Sequence, residues 1–106
     1  MVFPSASEAE TVAAYRLFVL PGTIPAKPGL LRVAASEGRS IATEIWSLDA
    51  KAFGAFVANI PAPLGVGTLA FADGTSAKGF LVEAEAVKGA KDVSEFGGWR
   101  AYMQSQ

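Results

Sequence analysis

Four side chains in this sequence of 106 residues stand where they could do chemistry: Tyr15, Arg32, Glu44 and Lys78. Glu44 lies in an apolar run from Ser40 to Leu48. A two-residue period puts Ala42, Glu44, Trp46 and Leu48 on one face and Ile41, Thr43 and Ile45 on the other. On an interior face, a carboxyl loses hydration, favours its neutral form and becomes a candidate acid or base. The plainer alternative is that Trp46 marks a rim and Glu44 is solvated or salt-bridged. Lys78 precedes Phe80, Val82, Ala84 and Ala86, a row expected to face inward while Leu81, Glu83 and Glu85 face out. An ammonium at the end of that row can hold a carboxylate ligand, as can the guanidinium of Arg32. A snorkelling lysine is the competing reading. Tyr15 either donates a hydrogen bond to the same ligand or is a core tyrosine with a satisfied hydroxyl. Glu83 and Glu85 share a face, but no further oxygen donors converge on them, so no metal is expected.

These side chains need a scaffold, and the order β-β-β-α-β-β-α supplies one. Tyr15 to Leu20 is rich in β-formers and stops at Pro21-Gly22. Pro21–Gly29 holds three prolines and two glycines and reads as an ordered loop containing Ile24. Its N–H groups can meet an anion, but the prolines remove donors, and a rigid connection is the competing reading. Leu30 to Ala34 and Ser40 to Leu48 read as the next strands. Apolar residues on both faces of the latter predict a central strand covered on both sides. Asp49 is a good N-cap, and Phe53, Phe56, Val57 and Ile60 have helical spacing up to Pro61 and Pro63. Val66–Ala72 and Ser76–Val87 form a hairpin around Asp73-Gly74. Asp92 or Ser94 caps a last helix with Phe96, Trp99 and Met103, and Gly97-Gly98 there implies close packing or an irregular first turn. Trp99, Arg100 and Tyr102 pack this helix down, with an Arg100 ion pair as the alternative. Residues 1–13 read as a polar N-terminal arm with a short helical turn at Ser7–Ala14. Residues 14–106 form one α+β domain with a mostly antiparallel, strongly curved sheet.

Composition removes whole classes of activity. Cysteine and histidine are both absent. Disulfides, thiol catalysis, thiolate zinc sites and a Ser–His–Asp triad are therefore excluded within this sequence. Nine basic and ten acidic residues are spread without a basic run, so nucleic acid is not an expected partner. No apolar run is long enough to cross a membrane, and the start lacks a signal-peptide pattern. A cytoplasmic protein without a cofactor is the expectation.

Three stretches carry more than composition. They are Tyr15-Arg-Leu-Phe-Val-Leu-Pro-Gly with Lys27-Pro-Gly-Leu-Leu-Arg-Val33, then Phe53 with Ile60-Pro-Ala-Pro-Leu-Gly-Val-Gly67, and Lys78-Gly-Phe-Leu-Val-Glu83 with Phe96-Gly-Gly-Trp-Arg-Ala-Tyr102. In this order and spacing the sequence resembles the C-terminal domain of allophanate hydrolase from about Tyr15 to Met103. The resemblance implies a γ-glutamylcyclotransferase-like fold, a small β-barrel with flanking short helices. It also implies a place in urea breakdown, where an amidase domain hydrolyses allophanate and the C-terminal domain decarboxylates the product, N-carboxycarbamate. The sequence departs from the family in carrying no amidase domain and nothing resembling the family's earlier strand and histidine-bearing loop. The cyclotransferases place a glutamate just after the first helix, where this chain reads Pro61-Ala-Pro-Leu-Gly65. Cyclotransferase activity is not expected. Two functions follow as expectations. One is a stand-alone relative that binds a small carboxylate or ureido compound through Tyr15, Arg32 and Lys78, or assists a separate amidase. Glu44 and Lys78 would carry any residual decarboxylation. The other is a non-catalytic module that forms a homodimer or joins a partner through an open sheet edge. A repurposed relative with an unrelated ligand is a third.

Overall fold

A computed structural model of the chain describes residues 6–106. The remainder of the expected arm, residues 1–5, lies outside the described residues. Among the described residues, seven strands and two helices follow one another as β1 (Ala6–Glu10), β2 (Tyr15–Val19), β3 (Pro28–Arg32), β4 (Ala42–Trp46), α1 (Ala50–Ala58), β5 (Leu64–Ala70), β6 (Ser76–Val82), β7 (Lys91–Asp92) and α2 (Trp99–Gln104). All strand pairs are antiparallel and form three sheets, β1-β4, β3-β2-β7 and β5-β6. The domain is a small mixed α and β unit, and among the described residues the ladders do not close into the barrel expected from the resemblance.

Single bridges tie the sheets together. Thr11 pairs with Phe71, and the Val12 N–H donates to the Ala70 carbonyl at 3.0 Å. The core lies where the sheets meet: Tyr15, Leu17, Leu30, Ile41, Leu69, Phe71, Val93 and Tyr102 form one buried cluster with Ala14. Two buried hydroxyls finish the backbone's hydrogen bonding. Thr11 Oγ1 accepts from the Ile41 N–H at 3.0 Å, and Ser94 Oγ accepts from the Leu17 N–H at 2.7 Å. Each meets a buried amide that would otherwise be costly to leave unpaired.

Local signals hold where they are strongest. Asp49 Oδ1 accepts from the Ala52 N–H at 2.7 Å and caps α1. Asp73 Oδ1 accepts from the Thr75 N–H at 2.9 Å, with Gly74 at φ 89°, and turns β5 into β6. The loop from 21 to 27 is ordered by Thr23, whose Oγ1 donates to the Leu20 carbonyl and accepts from the Lys27 N–H. Ile24 in the same loop is 99% exposed. Gly98 sits so close to Ala42 that a Cβ there would lie 3.2 Å from the alanine's own Cβ, and the Ala42 N–H donates to the Gly97 carbonyl at 2.7 Å. The paired glycines of the last stretch therefore do both jobs inferred for them, a φ of 75° at Gly97 and a close approach at Gly98.

Several expectations are overturned. The segment read as an arm with a helical turn contains β1, paired with β4 from Ala6↔Trp46 to Glu10↔Ala42. Its sequence lacks strong β-formers, and the pairing is imposed by its neighbour. In β4 only Thr43 and Ile45 turn toward the interior, while Ala42, Glu44 and Trp46 are exposed, so the strand is covered on one side. The strand expected to run to Val87 stops at Val82 and continues as a 3₁₀ turn over Ala84–Val87. From Ala77 to Leu81 its alternation is opposite to that expected, while Val82 is buried as expected. Ala77 and Leu81 pack against the core, whereas Lys78 and Phe80 face out. The outward Phe80 stacks on Phe56 of α1, ring centroids 6.1 Å apart, which explains the apolar residue on that side.

Candidate functional site

Two of the four sequence candidates are brought together. Tyr15 and Arg32 are directly opposite in the β2–β3 register. Tyr15 is 0% exposed. Its hydroxyl oxygen accepts from the Ala70 N–H at 3.1 Å and lies 3.5 Å from Arg32 Nη1. The Arg32 guanidinium carbon stands 5.3 Å from the Tyr15 ring centroid, a cation–π distance. Tyr15 is thus a core tyrosine with a satisfied hydroxyl that positions Arg32. Arg32 itself is exposed and has no ion pair among the described residues.

Glu44 and Lys78 are committed elsewhere. Glu44 Oε1 accepts from Arg100 Nη2, and Arg100 Nη1 lies 3.8 Å from Glu8. This is the salt-bridged alternative for Glu44 and the ion-pair alternative for Arg100. Lys78 Nζ donates to Thr68 Oγ1 at 2.7 Å, across the β5–β6 pair on the face away from the core. The inward carboxylate-binding row expected of Lys78 is absent because the strand's parity is reversed. Glu83 precedes the 3₁₀ turn and Glu85 pairs with Lys88 at 2.8 Å, so the two carboxylates do not act together.

A second polar cluster has no counterpart in the sequence reading. Arg16 Nε donates to Asp92 Oδ2 at 2.5 Å, and Arg16 Nη1 donates to the Glu37 carbonyl at 2.8 Å. Asp92 Oδ1 accepts from the Ser94 N–H at 2.9 Å. Partial burial pushes the Asp92 carboxyl upward, but the hydrogen bonds from Arg16 and Ser94 outweigh it and hold the group below its ordinary range. Arg16 and Asp92 lie 76 residues apart, so only the β2–β7 pairing reveals the contact. An open apolar groove of about 380 Å³ runs between α1 and β6, lined by Ala52, Ala55, Phe56, Asn59, Ile60, Pro61 and Phe80. Its single polar side chain, Asn59, donates to the Ala55 carbonyl at 2.8 Å. Among the described residues no helix is long and apolar enough to cross a membrane.

The allophanate hydrolase C-terminal domain pattern matches residues 4–104, and the chain belongs to that family. The match reaches back through β1, ahead of the stretches that first carried the resemblance. The chain is 41% identical over 98 residues to the urea amidolyase of Saccharomyces cerevisiae, covering 90% of this chain and 5% of that protein. The crystal structure of the Kluyveromyces lactis urea amidolyase superposes with a TM-score of 0.86 at 35% identity, covering 94% of this chain and 6% of that one. The structure of c4763, a uropathogenic E. coli-specific protein, gives a TM-score of 0.82 at 32% identity, covering 99% of this chain and 78% of that one. The chain therefore spans a small part of the length of the urea amidolyases it matches.

Proposed function

We propose that the domain binds a small carboxylate or ureido compound, or assists an amidase, in urea and allophanate nitrogen metabolism. The observation that carries this reading is Arg32, exposed, held over the Tyr15 ring and free of any ion pair among the described residues. A pre-positioned guanidinium keeps its planar fork for an incoming carboxylate. Family membership and the urea amidolyase relatives support the metabolic setting. With no histidine in the sequence, any decarboxylation of N-carboxycarbamate is limited in this reading to what holding the anion supplies. Glu44 and Lys78 stay outside the anion site. An amide-resonance titration with malonate tests the proposal. Saturable shifts should gather at Arg32, Tyr15 and Ala70 and vanish in Arg32→Ala, while Lys78→Ala leaves them in place. A flat titration, or one unchanged by Arg32→Ala, rejects the reading.

A second reading, self-association, is favoured by the outer face of α1 and its hairpin. No residue of α1 is buried, and Phe53, Phe56, Val57, Val66 and Phe80 are all exposed. Five side chains at roughly 40% exposure fall short of the ~800 Å² per partner of a stable interface. This reading therefore requires a weak dimer, with a light-scattering mass that rises with concentration and falls back in Phe53→Ser. A constant monomer mass removes it.

A further inference from the structure

We infer that Arg39 is a second anion-binding residue and that, together with Arg32, it tunes the site to a small dianion such as a dicarboxylate. The inference rests on the proposed carboxylate site and deepens it. The backbone of Tyr15 pairs on both sides. Arg32 lies opposite it in β3, and Arg39 lies opposite it through an isolated antiparallel bridge, with the Arg39 N–H donating to the Tyr15 carbonyl at 2.8 Å. Residues directly opposite in antiparallel pairs point to the same face. Arg32, Tyr15 and Arg39 therefore form one row across three segments of chain, with the buried tyrosine in the middle and an arginine on each flank.

Strand spacing of about 4.8 Å places the two arginine stems roughly 10 Å apart. Long flexible side chains span that gap, so two planar forks can close on two carboxylates of one small molecule. Both arginines are exposed, and neither has an ion pair among the described residues. The arginine next to Tyr15 makes the contrast. Arg16 points to the opposite face, where Asp92 and the Glu37 carbonyl satisfy it. A dianion gives each of the two guanidiniums a carboxylate partner, whereas a monoanion leaves one of them unpaired.

Malonate and acetate distinguish the cases, followed through the Ala70 and Arg39 amides and the arginine side-chain Nε–H signals. Malonate should bind about tenfold more tightly than acetate, a difference of about 1.4 kcal/mol. Arg39→Gln should lower malonate affinity to that of acetate and leave acetate binding unchanged, while Arg32→Gln abolishes both. The bridge to Tyr15 uses only the backbone of residue 39, so the fold should persist in the variant. Arg39→Lys, which keeps the charge and loses the fork, should fall in between. Full malonate preference in Arg39→Gln overturns the role of Arg39 and leaves the Arg32 site intact. No response to either ligand in the unmodified chain removes the carboxylate site itself, and the inference with it.

Discussion

Glu8 and Glu44 lie directly opposite each other in the β1–β4 register, and Arg100 of α2 reaches both carboxylates. Like charges in opposed positions destabilise a strand pair. One guanidinium turns that liability into a clamp joining α2 to the β1–β4 sheet. The side chains are well exposed, so the clamp is worth little in isolation. Its effect should be visible as coupling. Arg100→Met should lower unfolding free energy by about 0.5–1 kcal/mol, and Glu8→Gln, nearly neutral alone, should restore part of that loss in the Arg100→Met background. Urea denaturation of the four proteins measures the coupling. Simple additivity would mean that Arg100 does not mediate between the carboxylates.

The Arg16–Asp92 pair sets an acid limb. Asp92 is held below its ordinary range in the folded chain by Arg16 and Ser94 against the opposing effect of burial. A carboxyl lowered on folding contributes stability that is fully present above its unfolded value of about 3.9. That contribution is lost as pH falls through the lower folded value. Both side chains are about one-third exposed, so its size is at most ~1 kcal/mol. Asp92→Asn should therefore be less stable at neutral pH and show a shallower decline between about pH 5 and 2. Thermal midpoints across that range check it, and an unchanged acid slope would count against the role of Asp92.

Two glycines should respond to alanine with opposite signs. A Cβ at Gly38 would come within 2.4 Å of Ala14 Cα and 2.7 Å of the Ala13 carbonyl oxygen, and backbone cannot easily yield. Gly54 lies inside α1 with nothing within 4 Å of a built Cβ. Gly38→Ala should destabilise by roughly 1–3 kcal/mol, and Gly54→Ala should stabilise by about 0.5–1 kcal/mol. Chemical denaturation midpoints of the two variants decide this.

Removing the Tyr15 hydroxyl should expose its structural task. In Tyr15→Phe the Ala70 N–H loses its acceptor, at a cost of about 1–3 kcal/mol for a buried group left unpaired. Hydrogen exchange should accelerate at Ala70 more than at the neighbouring Leu69 amide. Equal acceleration along β5 would mean that the loss is general rather than at that bond.

The legible parts of this molecule are those encoded within a few residues. Asp49 capping α1 and Asp73-Gly74 turning the hairpin need only local chemistry. What failed needs distant partners. β1 reads as polar chain because its strand state depends on β4. The parity of β6 runs opposite to expectation up to Leu81 because the alternation Phe80-Leu81-Val82 offers apolar residues to both faces: Phe80 stacks on α1, while Val82 on the same face is buried. At the candidate site, Arg32 and Tyr15 were singled out, but their pairing, the separation of Lys78 from them and the flanking position of Arg39 are consequences of register. No spacing rule connects an isolated bridge residue such as Arg39 with a strand two segments earlier.

The connection between Leu17 and Ser94 crosses 77 residues. Central strand β2 has β3 beside it early in the chain and Arg39 on the far side of Tyr15, but the rest of that far edge, from Leu17 on, waits for β7 and for the hydroxyl that meets the Leu17 amide. A ribosome adds about 5–20 residues each second. During synthesis, that edge therefore stands open for several seconds, as a template on which another nascent strand can pair. Pairing at that edge is a route to misfolding that a chaperone, or the arrival of the C-terminal segment, closes.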